Sequence, residues 1–169
     1  MRKFRSMVDT PERLAEFRRK YNFPNGVEVS HCMDSEAILS RGEGKVVIRL
    51  VAIVRGGRIP MSDLLTNFLC HFKVCPDQCT PNVFRIVSNV DTLNKKLRSK
   101  LTKHDINYIY SFQDSKTSGF YVKIQHGKVR LISGLPDSNK ETEGDYLIVS
   151  GNWYPNGIHC PTRASKAGA

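Results

Sequence analysis

Gly56-Gly57-Arg58-Ile59-Pro60 opens, and Pro76-Asp77-Gln78-Cys79-Thr80-Pro81-Asn82-Val83-Phe84-Arg85 closes, the stretch that decides how this chain is read. Between the two halves Leu64, Leu65, Phe68, Leu69 and Phe72 recur at spacings of three and four, one apolar stripe on a helix. Ser62 or Asp63 supplies the N-cap and Pro76 the stop, so a helix over about 62–73 is predicted. Thr80-Pro81 is a second start, an oxygen-bearing cap followed by a first-turn proline. It predicts a helix over about 80–97, with Phe84, Val87, Val90 or Asp91, and Leu97 facing inward.

Upstream, Thr10-Pro11-Glu12 has the same cap-plus-proline form, with an acid near the positive end of the dipole. Leu14, Phe17 and Tyr21 follow at helical spacing, so a helix over about 10–21 is predicted, ended by Pro24-Asn25-Gly26. Val27-Glu28-Val29 is a short alternating stretch, and 30–44 reads as polar loop. Val46 to Val54 is rich in β-branched residues and reads as a buried strand, with a helix as the alternative. Residues 99–104 are a polar, basic break and Ile106 to Phe112 is aromatic-rich. Gly119 to Gln125, Val129 to Ser133, and Tyr146 to Val149 running on to Trp153 read as strands, with His126-Gly127 turning the first two into a hairpin. Helices first and strands later predict an α+β fold, helices at about 10–21, 62–73 and 80–97 packed on a C-terminal antiparallel sheet at about 119–153. One domain is expected over 10–154, with a flexible N-terminus over 1–9 and a disordered tail over 155–169.

At 169 residues the chain is long enough to bury a core without metal or disulfide. Its net charge of +10 favours polyanionic partners and opposes acidic ones. Five cysteines, an odd number, with no signal peptide and no Asn-x-Ser/Thr sequon, argue for reduced thiols and an intracellular protein, nucleus or cytoplasm left open. The longest apolar run, Val46 to Val54, carries Arg49 and is far short of the roughly 20 residues of a membrane span, so no membrane partner is expected.

No constellation of catalytic or cofactor-binding residues stands out. Cys70-His71, Cys75 and Cys79 lack the paired spacing of a zinc site, and small buried hydrophobes are the better account of Cys70 and Cys79. Arg41-Gly42-Glu43-Gly44-Lys45 lacks the glycine spacing and the hydroxyl of a phosphate loop. No elbow frames a nucleophilic serine, and a cysteine-dependent enzyme is the least favoured reading. Asp137, Glu141, Glu143 and Asp145 read as solvated loop acids. The expectation is a non-enzymatic chain without catalytic residues, metal or cofactor. Lys95, Lys96, Arg98, Lys100 and Lys103 form the densest basic run and are the candidate nucleic-acid contacts, non-specific and electrostatic. On a continuous helix they would spread around the cylinder. Tyr108, Tyr110, Phe120 and Tyr121 would stack bases if exposed, and pack in the core otherwise.

The stretch Gly56 to Arg85 resembles a domain encoded by plant retroelements, the gypsy-type transposon domain. Gly56, Arg58 and Pro60 match its first segment; Pro76, Gln78, Pro81, Asn82, Phe84 and Arg85 match its second. Tyr21 to Val29, Gly119-Phe120-Tyr121, Ser138-Asn139-Lys140 and Val149 to Trp153 extend the likeness over about 10–154. Gly57 stands where the family usually has a bulky apolar residue, Phe84 where tryptophan is usual and Cys79 where leucine is usual. The chain also stops just past Trp153, as a truncated copy would. The resemblance implies a retroelement-derived, non-enzymatic domain, an assembly or nucleic-acid-associated module, and carries over no catalytic residue. Its matched positions read as structural: Gly56 for a turn, Pro60 and Pro81 for helix starts, Asn82 for a local backbone bond, and Arg58 and Arg85 for holding the two segments together. Self-association is the partner expected of an assembly module.

Overall fold

A computed structural model describes residues 4–33, 44–116, 119–134 and 144–154. The fold is α+β. Its elements run α1 (Pro11–Lys20), β1 (Val27–Met33), β2 (Lys45–Arg49), α2 (Leu50–Val54), α3 (Asp63–Phe72), α4 (Pro81–Leu97), α5 (Lys103–Ile109), β3 (Tyr110–Asp114), β4 (Phe120–Ile124) and β5 (Asp145–Gly151).

The three predicted helices form, two of them on side-chain caps; the Thr80 hydroxyl makes no capping bond. The Thr10 hydroxyl accepts from Arg13 N and the Ser62 hydroxyl from Leu65 N, while Pro11 and Pro81 occupy first-turn positions. The stripe of α3 and the inner face of α4 meet in the core, with Leu65, Phe68, Leu69, Val83, Phe84, Val87 and Val90 all buried. Leu97 does not join them and stays 68% exposed, because α4 has passed the end of the core and reverses at Arg98.

The strands assort differently from expectation. The last strand, β5, is not paired with its sequence neighbours; it is the centre of a three-stranded antiparallel sheet ordered β1-β5-β2. Val27 pairs with Gly151 and Met33 with Asp145, so β5 draws 30–33 out of the expected loop into a seven-residue ladder. Asp145 is therefore no solvated loop acid. It is buried at the start of β5, with its Oδ1 2.9 Å from His31 Nε2 on β1. The sheet faces the core with Val27, Val46, Ile48, Leu147 and Val149. A smaller cluster of Cys32, Val47, Tyr146 and Ile148 lies on its other face.

The apolar run 46–54 is half strand and half helix. β2 ends at Arg49, opposite Tyr146, where β5 has one residue left to offer. A buried backbone without a ladder partner must satisfy its own polar groups, and α2 does so internally. Leu50, Val51, Ala52 and Ile53 are all buried, as a helix apolar on every side requires.

The hairpin is β3–β4, joined through 115–119, instead of one built on His126-Gly127. Residues 129–133 form no strand; the Tyr110 hydroxyl accepts from Leu131 N (3.1 Å) and Ile132 N (3.4 Å) in place of a ladder. An aromatic file of Phe68, Phe72, Phe112 and Phe120 ties α3 to the core face of this hairpin, with Phe112 and Phe120 stacked at 5.1 Å. Of the segment 1–9 expected to be flexible, residues 1–3 lie outside the described residues and residues 4–8 are not a free arm. Phe4 and Val8 are buried in the core around a short turn at Arg5–Met7. The expected tail over 155–169, the Arg41–Glu43 part of the phosphate-loop-like segment, and the acids Asp137, Glu141 and Glu143 with Ser138-Asn139-Lys140 lie outside the described residues.

Candidate nucleic-acid interface

The residues of the stretch Gly56 to Arg85 hold the fold together. Arg85 is buried, and its Nε donates to the Arg55 carbonyl at 2.9 Å, joining α4 to the turn after α2. Arg58 is exposed and reaches the carbonyl of its neighbour Gly57 at 3.4 Å, so of the two arginines Arg85 does the bracing. A Cβ at Gly57 would stand 2.8 Å from the Ala52 carbonyl, which also accepts the Gly57 amide; this explains glycine where a bulky residue was expected. Gln78 accepts from Cys75 N (2.9 Å) and closes the short turn at Pro76–Gln78. Asn82 bonds a distant backbone instead of a local one. Its Nδ2 donates to Val122 O on β4 at 3.0 Å, while its Oδ1 accepts from the Thr80 hydroxyl. Pro60 precedes the helix instead of starting it, since Ser62 is the cap of α3. Trp153 is buried, donates its indole N–H to Gly44 O (3.3 Å) and accepts Met61 N at its carbonyl (2.9 Å).

The cations of the basic run are brought together by a break in the helix. α4 ends at Leu97, Arg98 takes the left-handed conformation (φ 51°), and α5 starts at Lys103. Asn94 locks the corner: its Oδ1 accepts from Ser99 Oγ and Leu101 N, and its Nδ2 donates to Leu101 O, all at 2.9 Å. The five cations therefore sit on a fixed reversal. Lys95, Lys96, Arg98 and Lys100 are exposed and Lys103 is half-buried. Over 91–105 they face two carboxylates, both engaged: Asp91 with Lys95 at 3.2 Å, and Asp105 with Thr102. Sequence reasoning missed Asn94, because an asparagine near a helix end carries no signal of three bonds made beyond it.

Asp105 and Thr102 form the capping box of α5. Asp105 Oδ2 accepts the Thr102 amide (2.6 Å) and hydroxyl (3.0 Å). These bonds, the amide first, hold the Asp105 pKa below its usual value. A depressed carboxylate stabilises the fold above its unfolded pKa of about 4 and loses that contribution as pH falls through the folded value. Asp105→Asn should therefore lower the urea midpoint at pH 7 and match wild type more closely near pH 3. A difference that does not change with pH would refute the assignment.

Of the four candidate stacking aromatics, two are spent on packing: Tyr110 is buried and Phe120 lies against Phe112. Tyr121 is half-buried, with its hydroxyl donating to Gln113 Oε1 at 2.9 Å. Tyr108 is 66% exposed, about 7.5 Å along α5 from Lys103. The Lys128 ammonium lies 3.4 Å from its ring centroid, and lowers the phenol pKa by hydrogen bonding and then by charge. Lys128 is twenty positions away and had no local signal.

Among the described residues no three His, Cys, Asp or Glu side chains gather to hold a metal ion, and no helix is long and apolar enough to cross a membrane. Cys75 and Cys79 are buried. The Cys70 thiol is raised by burial, partly offset by the charge of Lys103, the opposite of the depression that activates a nucleophile. Comparison with protein-family models, curated proteins and solved structures finds no match.

Proposed function

We propose that the chain is a non-enzymatic, retroelement-derived module that binds nucleic acid through the phosphate backbone at the α4–α5 corner. The observation that carries this reading is the corner itself: five cations on a reversal pinned by Asn94, with Asp105 held in its capping box and Asp91 Oδ2 paired with Lys95. A flexible basic tail would have to be ordered on binding; a fixed corner loses less entropy when phosphates dock. The net charge of +10 adds attraction at longer range. Exposed Tyr108 near the corner has Lys128 over one ring face and leaves the other for an unpaired base, which favours single strands.

Fluorescence anisotropy with a single-stranded oligonucleotide tests the reading across a salt series. Log affinity should fall linearly with log salt, by about 0.7 per phosphate neutralised. The triple variant Lys96→Gln, Arg98→Gln, Lys100→Gln should bind more weakly at every sequence tried and flatten the slope by about 2. Unchanged affinity and slope in that variant would refute the corner.

A further inference from the structure

A groove adjoins the basic corner, and its role in seating a strand rests on the corner being the phosphate-binding surface. The groove, of about 480 Å³, runs between the strap 56–62 and the outer face of α4, within the roughly 300–1,000 Å³ range of small-ligand sites. Arg58, Pro60 and Ser62 line one wall; Asp91, Thr92 and Lys95 line the other. The strap is firmly seated. Ile59 and Met61 are buried while Arg58 and Pro60, which alternate with them, are exposed, and the Met61 amide is bonded to Trp153 O. Arg58 thus extends over the groove's rim from an anchored backbone, and its bond to Gly57 O is a long 3.4 Å. Lys95 belongs to both the groove and the basic corner, so the two form a continuous surface.

The charge pattern is mixed: two cations with one carboxylate. A site built for phosphate alone gains nothing from Asp91, which repels a polyanion. The carboxylate becomes favourable when the ligand offers it a hydroxyl donor. Lys95 engages one of its oxygens, Oδ2, at 3.2 Å, and an ionised carboxylate accepts several hydrogen bonds at once. In a nucleic-acid backbone the group that donates between phosphates is the ribose 2′-hydroxyl, which deoxyribose lacks.

We propose that this groove seats one ribonucleotide of a bound strand, with Asp91 accepting the 2′-hydroxyl and Arg58 and Lys95 taking phosphates, and that it makes the chain prefer RNA to DNA. A hydrogen bond to a charged acceptor sets the preference at about ten- to hundredfold.

Oligouridylate and oligodeoxyuridylate of equal length differ in this hydroxyl alone and are the probes. By anisotropy at fixed salt, the full wild-type chain should bind the ribo form about ten- to hundredfold more tightly. Asp91→Ala should bring the two affinities together, whereas Asp91→Asn, which keeps an acceptor oxygen, should retain part of the preference. Arg58→Ala should weaken both probes. The triple corner variant should weaken both while preserving their ratio. Equal wild-type affinities, or a ratio that Asp91→Ala leaves intact, would overturn the groove proposal and leave the corner standing. Wild type that binds neither probe would overturn both.

Discussion

Trp153→Ala should cost about 3–5 kcal/mol of stability, the range for removing a large buried aromatic. The indole is 1% exposed and belongs to the main core. Its N–H also ties the end of β5 to the start of β2 through Gly44 O, whereas the main-chain carbonyl of residue 153, which accepts Met61 N from the strap, is kept in the alanine variant. With a urea slope of about 2 kcal/mol per molar, the midpoint should fall by roughly 1.5–2.5 M. Trp153 is the chain's one tryptophan, so unfolding is best followed by circular dichroism. Trp153→Phe separates the two contributions. It keeps most of the buried ring and loses the indole bond, so it should cost less than half as much. A loss under about 1 kcal/mol for the alanine variant would mean that the ring is not a core residue.

Gly151→Ala should be nearly as damaging, by a different mechanism. Gly151 has φ +83°, which costs an L residue about 1–2 kcal/mol. Its added Cβ would also collide with the Gly26 carbonyl, and backbone cannot swing aside as a side chain can. That carbonyl accepts the Asn152 amide at 3.0 Å, next to the Val27–Gly151 pair that ends the β1–β5 ladder. Forcing the two apart adds about 1–3 kcal/mol, for a total of about 2–5. Gly127→Ala is the control: φ is +75° there, but nothing lies within 4 Å of its Cβ. It should cost the dihedral alone, about 1–2 kcal/mol. Equal urea midpoints for the two variants would show that the collision at Gly26 is relieved without cost.

The candidate site divides along the same physical line as the fold. That 95–103 is strongly basic is plain in the sequence, because charge is a property of composition. That these cations share a corner depends on the helix stopping at Leu97, and on Asn94 reaching Leu101. The groove was not legible at all: Arg58 and Lys95 are 37 positions apart (95 minus 58), and the packing of the strap against α4 puts them on facing walls. Arg85 and Asn82 looked structural from their types, yet their partners, Arg55 O and Val122 O, lie 30 and 40 residues away.

By itself the sequence determined the three long helices, but not α2 or α5. Thr10-Pro11, Ser62 and Thr80-Pro81 place α1, α3 and α4, because caps, first-turn prolines and the 3.6-residue period all act within one or two turns. It determined the α+β class and the basic charge for the same reason: each is a sum over local terms. The tertiary structure alone decided the sheets. β5 pairs with strands more than 90 residues before it, as in Lys45 with Ser150, and β2 stops at Arg49, one residue short of the N-terminal end of β5. A strand has no internal hydrogen bonds to announce its ends. Its length and face are set by its partner, and the partner here is distant in the chain.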